Sequence, residues 1–187
     1  MNSKKIVITG APSTGKTVVI NGLEENGYHC FHEIIREMTA QAKEKGTLKT
    51  PVSNPLAFVD DSLKFNQLLI QGRLNHFKEA EKLDAKISFF DRGLPDVLAY
   101  MDYFKQSYGS DFSTICNQNR YDLVFIMPPW KEIYTADNER LETFAEAESL
   151  HKNLVHTYTS LGYTPISVPK ISVNKRISFI LKQLKLN

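Results

Sequence analysis

The chain has 187 residues, of which 42% are hydrophobic, 11% aromatic and 24% charged, an ordinary globular composition that argues against disorder. This length predicts one domain over residues 1–187 with a substantial apolar core. The formal net charge is only +2 and no long basic run occurs, which argues against nucleic acid or an anionic membrane as a partner.

Strand and helix patterns alternate through the first half of the chain. The short β-branched run at 6–8 is bounded by lysines and a glycine, which indicates a strand buried on both faces. Residues 56–83 carry apolar side chains at helical spacing, which predicts one long helix, or two helices with a break near Gly72. The other elements predicted here are a helix over 17–25, a strand over 28–33 and a helix over 34–45.

The same alternation continues through the second half. Strands are predicted over 86–93, which ends in an acid, and over 121–129, which stops at two prolines. A further strand is predicted over 163–169. Because proline cannot donate a ladder hydrogen bond, Pro165 indicates either that this strand lies at the sheet edge or that the proline stands at the start of the strand. The predicted helices cover residues 96–108, the later part of a charged segment ending at 162, and residues 174–186. This alternation predicts an α/β fold of three αβα layers with a five-stranded, mainly parallel sheet.

The cysteines and the N-terminal stretch bear on the compartment. Cys30, in a predicted strand, and Cys116, in a loop-like stretch, lack Cys-x-x-Cys spacing, which favours two reduced thiols over a disulfide or zinc site. The apolar run at 6–8 is too short for a signal sequence, and no stretch approaches the ~20 apolar residues of a membrane span. We therefore expect a soluble, cytoplasmic protein without a membrane partner, and the sequence leaves a homodimer open.

A glycine-rich segment between the first strand and the first helix carries the strongest chemical signal. It reads GAPSTGKT and matches G-x-x-x-x-G-K-[ST], the phosphate-binding P-loop of NTPases. Backbone N–H groups and the helix N-terminus would surround the phosphates of ATP, with Lys16 between the β- and γ-phosphates and Thr17 on Mg²⁺. The predicted nucleotide-binding residues of this segment are Gly10, Ala11, Pro12, Ser13, Thr14, Gly15, Lys16 and Thr17. Val18, which follows Thr17, is expected to have no role in binding.

Asp91, after a predicted buried strand, is the candidate for the second magnesium-binding side chain beside Thr17. In motor-type AAA+ ATPases a glutamate that activates water usually follows this acid, but Arg92 follows it here. An Asp-Arg pair is typical of nucleoside and nucleotide kinases, where it faces the phosphoryl acceptor. Two plainer interpretations stay open: Asp91 as a strand-end acid, and Arg92 as a member of a surface ion pair.

Five segments together carry a family resemblance: GAPSTGKT, HEIIRE, FFDRGLPDVLAY, PPWKEIYTADNERLE and LGYTPISVP. In order and spacing they resemble small ATP-binding proteins grouped as an AAA-type domain, similar to the nicotinamide riboside kinase domain and to nucleoside and nucleotide kinases. The resemblance covers nearly the whole chain. It implies a nucleotide-kinase-like P-loop NTPase fold that binds ATP and Mg²⁺, and many members of that family have no assigned substrate.

The kinase-like fold implies an acceptor site beyond the second strand. There Glu33 would accept or orient a substrate hydroxyl proton, and Arg36 would bind an acceptor phosphate or pair with Glu33. The alternative is an ordinary ion pair at the start of a helix. Polar residues of the long helix, Gln67, Gln71 and Arg73, would line the acceptor pocket if they do not lie on its solvated face.

The resemblance also implies a lid, at about 130–148, and an adenine site after the fifth strand. Arg140 is the lid arginine expected to offset charge on the transferring phosphoryl group, and Glu139 and Glu142 are acids of the same lid. A solvated helix start explains the same charges. Trp130 is interpreted as a lid anchor or packing residue. Pro169 and Arg176 fall near the expected adenine position, and Ile177 replaces the aspartate of the guanine-reading N-K-x-D pattern.

Two functional hypotheses follow from these residues. The first is an enzyme that transfers the γ-phosphate of ATP to a small, nucleoside- or nucleotide-like acceptor. The alternative is an ATP-dependent regulatory switch with slow hydrolysis and no small-molecule acceptor. The catalytic residues under the first hypothesis are Lys16, Glu33, Asp91, Arg92 and Arg140, with Thr17 and Asp91 as the magnesium ligands.

Overall fold

The computed structural model describes residues 3–35, 62–134 and 143–186. Its strands are β1 (Lys4–Gly10), β2 (His29–Phe31), β3 (Ile87–Asp91), β4 (Leu123–Met127) and β5 (Ile166–Ser167). Its α-helices are α1 (Lys16–Glu25), α2 (Ser62–Ala80), α3 (Leu94–Tyr103), α4 (Ser110–Gln118), α5 (Phe144–Ser160) and α6 (Val173–Leu186). A short 3-10 turn, Lys131–Ile133, follows β4. None of the helices in these ranges is long and apolar enough to cross a bilayer.

The five strands form one parallel sheet in the order β2-β3-β1-β4-β5. The side chains of β1 alternate between the two faces, so Val7 joins a core with α2, α3 and α5, whereas Ile6 and Ile8 join a core with α1 and α6. All three are fully buried. The predicted αβα layering is confirmed, as is the edge position of the last strand, which begins directly after Pro165.

Of the two alternatives for residues 56–83, one long helix or two with a break near Gly72, the structure favours the unbroken helix. Helix α2 runs unbroken through Gly72, where a Cβ atom would lie 2.8 Å from Cδ1 of Ile34. The glycine therefore serves the close approach of the chain after β2 and does not end the helix. Residues 36–61, which include the predicted end of the second helix and the start of the long one, lie outside the described residues.

The predicted bounds of the helix over 96–108 are wrong at both ends. Helix α3 begins at Leu94 because Pro95 suits the first helical turn and the Asp96 carboxylate caps the backbone N–H of Gly93. It ends at Tyr103, and the separate helix α4 follows. The prediction of a loop around Cys116 is therefore wrong, since this residue is buried in α4. Cys30 and Cys116 are both free thiols, as predicted.

Candidate functional site

The strand order brings three predicted site segments to one edge of the sheet. Strands β2, β3 and β1 are neighbours and parallel, so their carboxyl ends lie side by side. The P-loop follows β1, Glu33 follows β2, and Asp91 ends β3. Ligands of open α/β sheets bind beyond the carboxyl ends of the strands. The fold therefore assembles the candidate site from residues that are distant in sequence.

The P-loop has the backbone conformation that its glycines allow. Gly10 and Gly15 have φ angles of +149° and +82°, and Ser13 has a φ of +59°. A Cβ on Gly10 would lie 2.5 Å from the carbonyl oxygen of Met127, so only glycine fits there. Helix α1 begins with no capping side chain and no acid in its first turn. This end of α1 therefore suits a bound anion such as a phosphate.

Val18 follows Thr17 in the first turn of α1. The valine side chain is 50% exposed and carries no hydrogen-bonding group. The side chain of Val18 therefore offers no hydroxyl to a phosphate or a metal ion.

Lys16 is almost fully buried beneath this loop. Its Nζ donates to the carbonyl oxygen of Ala11 at 2.9 Å. Burial, followed by repulsion from Arg92, lowers the pKa of Lys16 to about 7, against the opposing attraction of the nearby carboxylates. A phosphate beside Nζ would restore favourable electrostatics to this buried ammonium group.

Arg176 supports the P-loop from helix α6. Its Nη1 donates to the carbonyl oxygen of Thr14 at 3.1 Å, and its Nε donates to that of Ile171 at 2.7 Å. Its guanidinium lies 4.9 Å from the ring centre of Trp130, which fits the packing role expected for that residue. The backbone of Ile171 in turn bonds Pro169, so both predicted adenine-site residues lie in one connected cluster next to the P-loop. Their contact with adenine stays a prediction.

Next to Arg176, Ile177 has a packing role. Its side chain is buried, and Cδ1 lies only 2.5 Å from where a Cβ would stand on Gly22 of α1. The apolar residue in place of an aspartate therefore packs α6 against α1.

Arg92 connects the P-loop with the end of β2. Its Nη1 donates to the carbonyl oxygen of Gly10 at 3.2 Å, and its Nε pairs with Oε2 of Glu33 at 2.5 Å. The side chain is only 11% exposed, so Arg92 belongs to the interior and not to a surface ion pair. Burial opposes its charge, but Tyr100 and the surrounding carboxylates outweigh burial and raise the pKa of Arg92 well above its usual value.

The second oxygen of Glu33 is held by Arg73 of helix α2. Arg73 Nη2 lies 2.9 Å from Glu33 Oε1, and Arg73 Nη1 donates to the carbonyl oxygen of Gly93 at 3.0 Å. Arg73 is buried, whereas Gln67 and Gln71 of the same helix lie on its exposed face. Of the three polar residues suggested for an acceptor pocket, the structure brings only Arg73 to the site.

A small pocket opens between these arginines and the ends of β2 and β3. Arg73 is one of its lining residues, and Nε of this arginine is buried without a hydrogen-bond partner in the described ranges. The lining combines cationic, acidic, imidazole and aromatic groups, which suit a polar ligand, but these side chains lie close together and a ligand would have to part them. The lining residues are Phe31, His32, Ile34, Arg73, His76, Phe90, Asp91, Arg92 and Tyr121.

Asp96 is a site residue that the sequence analysis did not identify. It is fully buried in the first turn of α3 and accepts hydrogen bonds from Thr9 of β1 and Tyr158 of α5. Burial disfavours its charge, but Arg73 and Arg92 outweigh burial and lower the pKa of Asp96. A capping acid one residue after a proline is a sequence signal for this position. The partners on β1 and α5 have no such signal.

The magnesium site can be tested against the residues present. Within residues 3–35, 62–134 and 143–186, no group of three or more His, Cys, Asp and Glu side chains could hold a metal ion. Mg²⁺ is usually bound by one or two protein carboxylates together with waters and substrate phosphates. Thr17, in the first turn of α1, and Asp91, at the end of β3, fit this pattern. Arg36, Glu139, Arg140 and Glu142 lie outside the described residues.

The turn between β3 and α3 gives a stability prediction. A Cβ on Gly93 would lie 2.7 Å from Oη of Tyr158, 3.0 Å from Cγ2 of Val7 and 3.1 Å from Cε2 of Tyr121, in a buried region. Gly93→Ala is expected to lower the free energy of unfolding by about 1–3 kcal/mol, because these side chains must move. Denaturant unfolding measures this change. Gly27→Ala has open space around the added methyl group, so its penalty should come from backbone strain alone.

Comparison with known proteins bears on the family and the fold of the chain. A sequence profile of the family described as "AAA domain" matches residues 5–176. No curated protein sequence matched the chain.

Three solved structures show the likeness in fold. Deoxyadenosine kinase from M. mycoides, with the products dCMP and dCDP bound, has a TM-score of 0.66 at 19% identity over 98% of this chain and 100% of that one. A NadR protein in complex with NR has a TM-score of 0.72 at 17% identity, over 98% of this chain and 50% of that one. Thymidylate kinase from Ehrlichia chaffeensis has a TM-score of 0.64 at 17% identity, over 98% and 100%. The predicted nucleotide-kinase-like P-loop fold is confirmed.

Proposed function

Since this chain belongs to the AAA-domain family, with a nucleotide-kinase-like P-loop fold, we propose that it transfers the γ-phosphate of ATP to a small nucleoside- or nucleotide-like acceptor. One observation carries the proposal. Arg92 contacts both the P-loop carbonyl of Gly10 and the carboxylate of Glu33. A single guanidinium thus joins a phosphate-binding loop to a neighbouring pocket, which is the layout that direct transfer between two bound substrates requires.

On the donor side, the P-loop backbone and the start of α1 would hold the phosphates of ATP. Lys16 would release the carbonyl oxygen of Ala11 and place its charge between the β- and γ-phosphates. Thr17 and Asp91 would hold magnesium, which when bound supplies positive charge at the phosphate oxygens. Pro169 and Arg176 would lie near the adenine. The lid role of Arg140 is part of the proposal and rests on the family resemblance alone.

On the acceptor side, Glu33 would orient the attacking hydroxyl. Both of its oxygens already accept from guanidinium groups, at 2.9 Å from Arg73 and 2.5 Å from Arg92. Each carboxylate oxygen has a second lone pair, so it can accept a further hydrogen bond from a substrate hydroxyl. The loose transition state of phosphoryl transfer needs positioning more than proton removal. Nε of Arg73, which is buried without a hydrogen-bond partner within the described ranges, would become a further donor if an acceptor opens this pocket.

The residue after Asp91 supports transfer to an acceptor over transfer to water. Arg92 stands where a water-activating carboxylate would follow in a motor ATPase, and its guanidinium can stabilise phosphoryl charge but cannot accept a proton from water. The chain is therefore expected to hydrolyse ATP slowly without an acceptor.

The proposal is tested by measuring ADP formation from Mg-ATP with a panel of nucleosides and nucleoside monophosphates. At least one acceptor is expected to raise the rate roughly tenfold or more above the acceptor-free rate. An ATP turnover that no acceptor changes would contradict the proposal and favour a regulatory switch. Lys82→Ala, which changes an exposed lysine just beyond α2, is the control variant and should behave as the wild type.

The pKa of Lys16, lowered to about 7, predicts that nucleotide binding takes up a proton. At about pH 8 the buried amine is mostly neutral in the free protein, whereas a phosphate beside it favours the charged form. Binding therefore raises this pKa, and the affinity for Mg-ADP is expected to fall as pH rises above 7, approaching about tenfold per pH unit.

Calorimetry in buffers of different ionisation enthalpy measures the proton uptake. The control is Lys16→Arg, since its guanidinium stays charged throughout this pH range. Equal proton uptake by the wild type and Lys16→Arg would assign the linked proton to another group.

A further inference from the structure

We infer that Asp96 is a positioning residue of this site, which holds the guanidinium of Arg92 between the P-loop and Glu33. The inference rests on the proposed function for its consequence in catalysis, but the geometry that carries it can be measured without an acceptor. Asp96 does not itself line the pocket and reaches it through its contact with Arg92, so it would act through that arginine.

Three neutral donors from three different segments fix the Asp96 carboxylate. Thr9 of β1 donates to Oδ1 at 2.5 Å, while Tyr158 of α5 and the backbone N–H of Gly93 donate to Oδ2 at 2.6 and 2.9 Å. The residue is fully buried, so water does not compete for these bonds. These bonds therefore hold the carboxylate of Asp96 in one position in the core and stabilise its negative charge.

Arg92 forms an ion pair with this carboxylate. Its Nη1 lies 3.3 Å from Asp96 Oδ1 and 3.2 Å from the carbonyl oxygen of Gly10, so one nitrogen bridges the core and the P-loop. Its backbone has a φ of +74°, a strained conformation that neighbouring contacts must maintain. Without Asp96, the only acid that pairs directly with this guanidinium, among the ion pairs of the described residues, is Glu33. Nη1 would then be held by the neutral carbonyl oxygen of Gly10 alone, so the guanidinium could turn about its contact with Glu33 and lose the P-loop contact.

A plain capping role for Asp96 would explain only one of its contacts. The bond to the Gly93 N–H stabilises the start of α3. The bonds from Thr9, Tyr158 and Arg92 are not needed for that purpose, since a cap requires neither a buried charge nor partners on β1 and α5. A capping role and a positioning role also differ in what happens to Arg92 when the charge is removed.

The first test measures hydrogen exchange of the Arg92 Nη1–H group, which contacts Asp96 and Gly10, by NMR of the ¹⁵N-labelled protein, with the signal assigned by its loss in Arg92→Lys. Asp96→Asn is expected to speed this exchange by roughly tenfold or more, because the guanidinium is no longer held. Asp102→Asn, which changes an exposed acid of the same helix, should leave it unchanged. Unchanged exchange in a folded Asp96→Asn protein would overturn the inference.

Two further variants cover the case in which Asp96→Asn does not fold. Tyr158→Phe and Thr9→Val each keep the Asp96 charge and remove one donor that fixes it. Each is expected to speed the Arg92 exchange by a smaller factor, roughly threefold. Exchange at the wild-type rate in both would overturn the inference.

The second test is a double-mutant cycle on the rate of acceptor phosphorylation. Asp96→Asn should lower kcat by about 10–100-fold and change the Kd of Mg-ADP by less than about threefold. In an Arg92→Ala background the same substitution should lower kcat by less than about threefold, since the group it positions is absent. An equal loss in both backgrounds would assign Asp96 a general structural role. If no acceptor is found at all, the proposed function fails, and the exchange measurement still decides the inference.

Discussion

Lys16→Ala is expected to lower the rate of phosphoryl transfer by roughly 10³-fold or more, the largest effect of any single substitution in the chain. The ammonium group is buried under the P-loop, where little solvent can replace its charge. Removing a preorganised charge at the transferring group costs about 4 kcal/mol of transition-state stabilisation, which corresponds to this loss of rate. The rate of ADP and product formation at saturating acceptor measures this loss.

The same variant should remain folded, because within the described residues the side chain of Lys16 is held by the bond from Nζ to the carbonyl oxygen of Ala11. Its thermal unfolding should match the wild type closely or lie slightly higher, since the cost of burying a charge disappears. A Lys16→Ala protein that is folded and turns over acceptor at the wild-type rate would contradict the assignment of this loop.

Arg92→Ala is expected to reduce both activity and stability. The substitution leaves Glu33 with one directly paired guanidinium and Asp96 with none, although Asp96 is fully buried and Glu33 is mostly so. Breaking a buried charge pair in this way costs roughly 3 kcal/mol in the free energy of unfolding. The kcat should fall by about 10²–10³-fold, because the contact between the P-loop and the acceptor residue is lost.

Urea unfolding and steady-state kinetics measure the two effects. Arg120→Ala is the matched control, since Arg120 is an exposed arginine that stacks on Tyr163 away from the site. It should cost less than about 1 kcal/mol and leave kcat unchanged. An Arg92→Ala protein as stable as the wild type would mean that the buried carboxylates do not depend on this guanidinium.

The P-loop and the sheet could be predicted because the residues that determine each of them lie close together in the sequence. The glycines, Lys16 and Thr17 lie within one short segment, and the buried strands are short apolar runs bounded by polar residues, glycines or prolines. Asp91 and Arg92 are likewise adjacent in sequence, at the end of one such strand. The order of strands in the sheet then places the P-loop next to Asp91 and Arg92, although no local sequence pattern encodes this contact.

The pairing within the site could not be predicted, because its partners are far apart in the chain. Arg73 lies 40 residues from Glu33, and Tyr158 lies 62 residues from Asp96. Helical spacing shows that 62–80 is amphipathic, but it does not say which polar residue turns inward. Arg73 is buried where it can reach the backbone carbonyl of residue 93, while Gln71 bonds Asn75 on the exposed face.

The central claim is tested most directly by following the γ-phosphate of isotopically labelled ATP. The wild-type protein, incubated with Mg-ATP and the nucleoside and nucleotide panel, should move the label into a phosphate ester or anhydride of one acceptor, with little label in inorganic phosphate. Lys16→Ala should form neither product at a measurable rate. Label that appears only as inorganic phosphate, with every acceptor, would show that water is the acceptor and would contradict the assignment as a small-molecule phosphotransferase.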